Sequence, residues 1–222
     1  MALTKFNFNS FDVTTAANSG LAFNASANGF DTAASGALNL ISTNTISSAV
    51  SSIDFTSSID NTYNVYLFTY TSIHPQNDSD FSVNFSVDGG SNYNVTKTNT
   101  FFRAYHKEND TQTGLGYLTG YDLTQATSEQ SLGLNTDSSV TDTNISGKLY
   151  LFSPSSTTFV KHFISISNGE SGAYSIHSYV AGYANTTSAI NAVRFLAKTG
   201  GGAGAAGGNL DSGTVKMYGI TK

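Results

Sequence analysis

Four histidines, His74, His106, His162 and His177, stand in a chain crowded with serine and aspartate, so the first chemistry to weigh is a Ser-His-Asp arrangement. Acyl transfer needs a serine on a sharp turn, a base within hydrogen-bond reach and donors for the developing oxyanion. No Gly-x-Ser-x-Gly elbow occurs, and His162 and His177 fall inside strand-like runs, where surface or interface positions are expected. A polysaccharide depolymerase would need two carboxylates with opposed pKa values in a cleft, and the acidic residues suggest no such pair. The sequence predicts no catalytic residue and no enzyme.

Asp78 and Asp80, and the run His106-Lys107-Glu108-Asn109-Asp110, are local acidic clusters that offer oxygen ligands. Calcium would suit them best, but neither has the spacing of a calcium loop, and acidic residues in turns commonly cap the backbone or meet solvent. No metal residue is assigned. The run Gly202-Ala203-Gly204-Ala205-Ala206-Gly207 matches G-x-G-x-x-G after an apolar run at Val193-Arg194-Phe195-Leu196. A dinucleotide site needs a strand–helix unit of about thirty residues and an acidic residue about twenty further on. Too little chain follows Gly207 for that, so the run from Gly200 to Gly208 reads as a loop between strands and no cofactor is expected.

Aromatic rings interleaved with Asn and Ser can stack on sugar rings while amides bond the hydroxyls. Tyr117, Tyr121, Tyr179 and Tyr183 are the candidates for such a face. The competing reading places these rings in the core or at a subunit interface, where most large aromatics are buried.

These side chains must be positioned by strands. Short alternating runs separated by turn residues recur from Ile46 onward: Val50 to Phe55, Tyr63 to Thr71, Phe81 to Val87, Thr98 to His106, Lys148 to Ser153, Phe159 to Ser167, Tyr174 to Tyr183, Ala189 to Ala197 and a closing strand, Asp211 to Lys222. The clearest is Phe81-Ser82-Val83-Asn84-Phe85-Ser86-Val87, whose alternation predicts a core face and a wet face. Asp88-Gly89-Gly90-Ser91-Asn92 supplies a turn, so a hairpin with Tyr93-Asn94-Val95 is expected. Leu123 to Leu132 is the one weak helix candidate, read as a loop with a turn. About ten strands with almost no helix predict an all-β protein, a jelly-roll-like antiparallel β-sandwich over residues 46–222.

Residues 1–45 have a different texture, rich in Ala, Ser, Asn and Gly with isolated anchors at Phe6, Phe8, Phe11, Leu21, Phe23 and Phe30. They predict an extended N-terminal arm, with a short strand at Lys5 to Phe8 and turns at Asn18-Ser19-Gly20 and Asn28-Gly29. Spaced exposed phenylalanines need a place to be buried, so the arm is a candidate docking segment.

Only 11% of the 222 residues are charged, against roughly 25% in ordinary soluble domains, so Ser, Thr and Asn carry the polarity. Fifteen Phe and twelve Tyr supply a core, which removes the chain from the disordered class. A net charge of −5 with ten scattered Lys and Arg offers no basic stripe for phosphates, so nucleic acid is not expected as a partner. No apolar run is long enough to span a bilayer, and the start lacks the basic and apolar regions of a signal peptide, so neither membrane insertion nor general export is expected. With no Cys, stability must come from packing and assembly and not from disulfides.

Several phrases resemble those of virion structural proteins from marine tailed bacteriophages, especially phages of cyanobacteria. They are Ser72-Ile73-His74-Pro75, Phe101-Phe102-Arg103-Ala104-Tyr105-His106, the stretch from Leu149 to Phe163, and Ser212-Gly213-Thr214-Val215-Lys216-Met217-Tyr218-Gly219-Ile220. The resemblance covers most of the chain and implies a β-rich, symmetric, non-enzymatic protein of a fibre, appendage or head decoration. It implies a homotrimer at the virion surface, bound to other virion proteins and, in an appendage, to host surface polysaccharide. It brings no catalytic motif, cofactor or metal.

Overall fold

The computed structural model describes residues 19–23, 30–34, 37–134, 142–199 and 207–220. Fourteen strands occur among them: β1 (Ser19–Phe23), β2 (Phe30–Ala34), β3 (Leu38–Ile46), β4 (Ser52–Phe55), β5 (Val65–Pro75), β6 (Ser79–Ser86), β7 (Lys97–Lys107), β8 (Thr113–Tyr117), β9 (Gln130–Gly133), β10 (Ile145–Phe152), β11 (Lys161–Ser171), β12 (Tyr174–Ala184), β13 (Ala192–Thr199) and β14 (Leu210–Ile220). No helix occurs among the described residues, and the Leu123–Leu132 stretch runs as irregular chain into β9.

The strand order is that of a jelly roll with an extension. An eight-stranded sheet runs β3-β14-β5-β10-β11-β12-β7-β8, and a four-stranded sheet runs β4-β13-β6-β9. Set aside β7, β8, β11 and β12, and the eight remaining strands of the sandwich alternate between two sheets in the order first-eighth-third-sixth and second-seventh-fourth-fifth, the double Greek key of a jelly roll. The other four continue the first sheet beyond β10. All pairings are antiparallel, and β1 and β2 form a separate hairpin.

The core lies between the sheets and is aromatic. Phe81 stacks on Phe195 at 5.5 Å, Tyr70 tilts onto Phe81 at 4.9 Å, and Phe55 meets Phe68 edge-on at 5.4 Å. Two of these contacts bridge the sheets, which is where large rings add most to burial. The Tyr70 hydroxyl, fully buried, hydrogen-bonds the Ser165 hydroxyl at 2.9 Å, and burial raises its pKa.

Several local expectations are corrected. β3 joins the eight-stranded sheet beside β14, so the sandwich begins at Leu38 and not at Ile46. Ser19-Gly20, expected as a turn, opens β1. β6 pairs with β13 and β9, and residues 93–95 form no strand; a single Val95 N to Phe85 O bond of 3.5 Å is what remains of the expected hairpin. The Asp88 turn exists, held by Asp88 itself, which accepts from Ser86 Oγ, Asn92 N and Asn92 Nδ2. The face of β6 expected to be wet is buried: Ser82, Asn84 and Ser86 have at most 1% exposure. Chain crossing over the four-stranded sheet covers it, and Asn84 Nδ2 donates to the Tyr93 and Thr127 carbonyls at 2.7 and 3.0 Å. Alternation shows two faces but not what covers each one.

Candidate interaction surface

The inner face of the eight-stranded sheet packs on the core, and its outer face has no covering layer among the described residues. Pairing register places residues from distant parts of the chain side by side there. One row crosses every strand: Thr43, Lys216, Thr69, Lys148, Ile166, Tyr179, Phe102 and Tyr117. The next is Leu40, Tyr218, Leu67, Tyr150, Ile164, Ala181 and Thr100. Beyond it lie Leu38, Ile220, Val65 and Phe152, with His162, Tyr183 and Thr98 continuing the line. On the opposite side the face turns polar, with Thr45, Thr214 and Thr71 in register.

This face carries most of the large exposed apolar side chains of the described residues. Leu38, Leu40, Leu115, Tyr117 and Phe102 are 49, 55, 76, 50 and 37% exposed. Neighbouring rings order one another: Phe102 stacks on Tyr179 at 5.0 Å, Tyr150 lies parallel to Phe152 at 6.2 Å, and Lys148 Nζ sits 5.6 Å over the Tyr150 ring. At the β8 edge Tyr117 Oη donates to Asp122 Oδ2 at 2.6 Å, and that bond holds the phenol above its ordinary pKa. Beside Tyr183, Gln125 Nε2 donates to the Tyr183 hydroxyl at 3.3 Å and Asn185 Nδ2 donates to Gln125 Oε1 at 2.6 Å. Rings of fixed orientation flanked by amides can bury against another protein surface or stack on a sugar.

Of the four tyrosines singled out in the sequence, Tyr117, Tyr179 and Tyr183 share this face. Tyr121 does not: it is half-buried, packs 5.2 Å from Phe101 on the inner side, and borders an open hollow of about 430 Å³ with Arg103, Tyr105 and Tyr174. The hollow exists because the extension strands outrun the smaller sheet. Phe102, Tyr150, Phe152 and Tyr218 were missed, since a residue's face is known only once its strand partners are. Among the arm anchors, Phe6, Phe8 and Phe11 lie outside the described residues, as does the expected Lys5–Phe8 strand; Phe23 and Phe30 are backbone register partners where β1 pairs with β2. Most of the Gly200–Gly208 run also lies outside them.

The histidines do not converge. His74 Nδ1 bonds Asp211 Oδ1 at 2.8 Å, the orienting half of a triad, but its Nε2 is buried with no hydrogen-bond partner, so no hydroxyl meets it. His106 bonds Asp110 at 2.9 Å on the surface, and His162 lies 6.3 Å from the Tyr183 ring. Asp80 is buried, accepting from Ser131 Oγ at 2.9 Å, whereas Asp78 sits in a turn at φ 51°. Among the described residues no group of three His, Asp or Glu is placed to hold a metal ion.

No protein-family model and no curated protein matches the chain. Among solved structures, the crystal structure of infectious bursal disease virus VP2 subviral particle is similar at 12% identity, covering 91% of this chain and 46% of that one, with a TM-score of 0.13. The chain thus spans less than half the length of that polypeptide. The jelly-roll assignment rests on the strand order and not on this likeness.

Proposed function

We propose that this chain is a non-enzymatic structural protein of a tailed-phage virion, exposed on the particle as part of a fibre, appendage or head decoration, and that it assembles through the outer face of its eight-stranded sheet. The observation that carries the assembly reading is that face: exposed and half-buried Leu, Ile, Tyr and Phe side chains brought together across the eight strands of a single chain. Contiguous apolar surface of this kind marks an interaction site on a soluble protein. The particle setting is supported by the phage-like phrases of the sequence, and the charge-poor, cysteine-free composition suits assembly without redox control. A homotrimer is the favoured state, since virion subunits gain stability through symmetric burial. The N-terminal arm, expected over residues 1–45 and losing Leu38–Ile46 to β3, is proposed to dock on neighbouring virion proteins.

Immunogold electron microscopy of intact particles tests the setting. Label at tail or fibre tips, or spread over the head, fits the proposal and gives the location; particles without label overturn it.

A second reading draws on one specific feature, the Phe102–Tyr179 stack flanked by Tyr117, with the Gln125 and Asn185 amides beside Tyr183 two rows along the same face. In this reading the β7–β8–β12 end of the face binds host surface polysaccharide. Glycan-array binding lost in Tyr179→Ala, with the fold retained, would favour it; an array without signal would remove it.

A further inference from the structure

Lys97 begins β7 directly beneath the chain that covers the four-stranded sheet, and its side chain is buried with that of Asn84 on β6. Nζ donates to Asn84 Oδ1 at 2.6 Å and to the Val95 carbonyl at 2.8 Å. No third acceptor lies within reach among the described residues. An ammonium has three protons to place and a neutral amine two, so the site matches the neutral form. Burial acts the same way and pushes the Lys97 pKa down to about 7; the charge of Glu129 opposes the shift and that of Lys198 adds to it. A desolvated neutral lysine is a nucleophile.

Its target is equally fixed. Asn84 Nδ2 donates to two carbonyls, those of Tyr93 and Thr127, and Oδ1 accepts from Phe85 N at 2.9 Å as well as from Lys97. The carboxamide carbon is therefore polarised by donors on its oxygen, unable to rotate, and next to an amine in a site closed to water. Holding two reactants in this way replaces a bimolecular encounter by an intramolecular one, with effective molarities of order 10⁵ M or more in well-oriented cases.

We propose that Lys97 and Asn84 join in an intramolecular isopeptide bond. Nζ first turns about its bond to Cε, giving up the hydrogen bond to Oδ1 so that its lone pair faces Asn84 Cγ; the pair then attacks, and the carbonyl π pair moves onto Oδ1, where the Phe85 N–H stabilises it. As the carbonyl re-forms, the Cγ–Nδ2 bond breaks and Nδ2 leaves as ammonia, carrying a proton released by Nζ. One C–N bond forms, one breaks, nothing is oxidised or reduced, and ammonia is the sole by-product. The product clamps the covering chain from residue 84 to 97 onto the sheet, a covalent tie in a protein with no cysteine.

Intact mass spectrometry of the purified, denatured full chain tests this. The expected mass is below the sequence mass by one ammonia, and trypsin leaves the Lys97 bond uncut. Cleavage ahead of Asp88 should release a branched peptide in which the stretches bearing Asn84 and Lys97 remain joined. Lys97→Met should return to its full sequence mass. Ring closure at Asn28-Gly29 or Asn168-Gly169 would lose the same ammonia, so the position of the loss decides. A wild-type chain at full sequence mass, or an ammonia loss mapped to those sites with Lys97 cut normally, overturns the proposal whether or not the variant folds.

Discussion

Polar residues inside this sandwich are placed by individual bonds, and their chemistry sets how stability should respond to change. Arg194 is held in a fork by Asp54, Nε to Oδ1 at 2.8 Å and Nη2 to Oδ2 at 2.6 Å, with its guanidinium 4.0 Å over the Tyr93 ring. A lysine cannot make the fork or the stack. Arg194→Lys should therefore cost about 1 kcal/mol in chemical denaturation, and an unchanged midpoint would show that the pair adds nothing. Lys198 lies in the sheet opposite Asp80 and donates to the Glu129 carbonyl at 3.0 Å. Burial lowers its pKa below 10.5, while Glu129 and Asp80 act to raise it. The unfolded chain keeps that proton up to about 10.5, so above the lowered native pKa the unfolded state binds more protons and stability rises with pH. Melting temperature should climb as pH rises through the lowered native pKa toward 10.5, and the slope there should shrink in Lys198→Met; equal slopes would assign the pH response elsewhere. None of this was legible in the sequence, where Lys97, Lys198 and Asn84 look like ordinary surface residues of a polar chain.

The elements depend on pairing across long stretches of sequence. β14 lies between β3 and β5 and hydrogen-bonds both, so the last strand of the chain is interior to the larger sheet. Removing residues 210–222 should leave β3 without a partner and yield aggregated protein; a soluble, cooperatively melting truncation would contradict this placement. Within β14 the pairing with β5 shifts register around Gly213, whose φ is +118° and where a Cβ would come within 2.6 Å of Ile73 Cδ1 and 2.7 Å of the Ser72 carbonyl. Gly213→Ala should lower stability by about 1–3 kcal/mol, measured by denaturant unfolding. All nine strand-like runs after Ile46 overlap described strands, because alternation of bulky and polar residues is a local signal. β1, β2, β3, β8 and β9 escaped it. Leu38-Asn39-Leu40 was absorbed into the low-complexity arm, Thr113-Gly114-Leu115-Gly116-Tyr117 carries glycines that dilute the pattern, and Gln130-Ser131-Leu132-Gly133 is short and buried on both faces. The expected β6 hairpin failed for a related reason. A good turn after a good strand says where the chain bends, but β13, over a hundred residues later, fits the β6 edge better than Tyr93-Asn94-Val95 does.

As a whole the described molecule is a jelly roll with one sheet twice as wide as the other, and rings stand along the outer face of the wider sheet. Fold class followed from composition and spacing; the interaction face did not, because it is assembled by register from β3, β5, β7, β8, β10, β11, β12 and β14 together. The sequence named three of its tyrosines for their chemistry and could not see that Phe102, Tyr150 and Phe152 stand beside them. Under the proposed function, this face is where copies of the chain meet. Sedimentation equilibrium of the full chain at micromolar concentration, alongside a Phe102→Ser, Tyr179→Ser double variant, tests it most directly. A trimer joined through this face gives three times the 23.3 kDa chain mass for the wild type and a folded monomer for the variant. A monomeric wild type, or a variant that assembles as the wild type does, would contradict it.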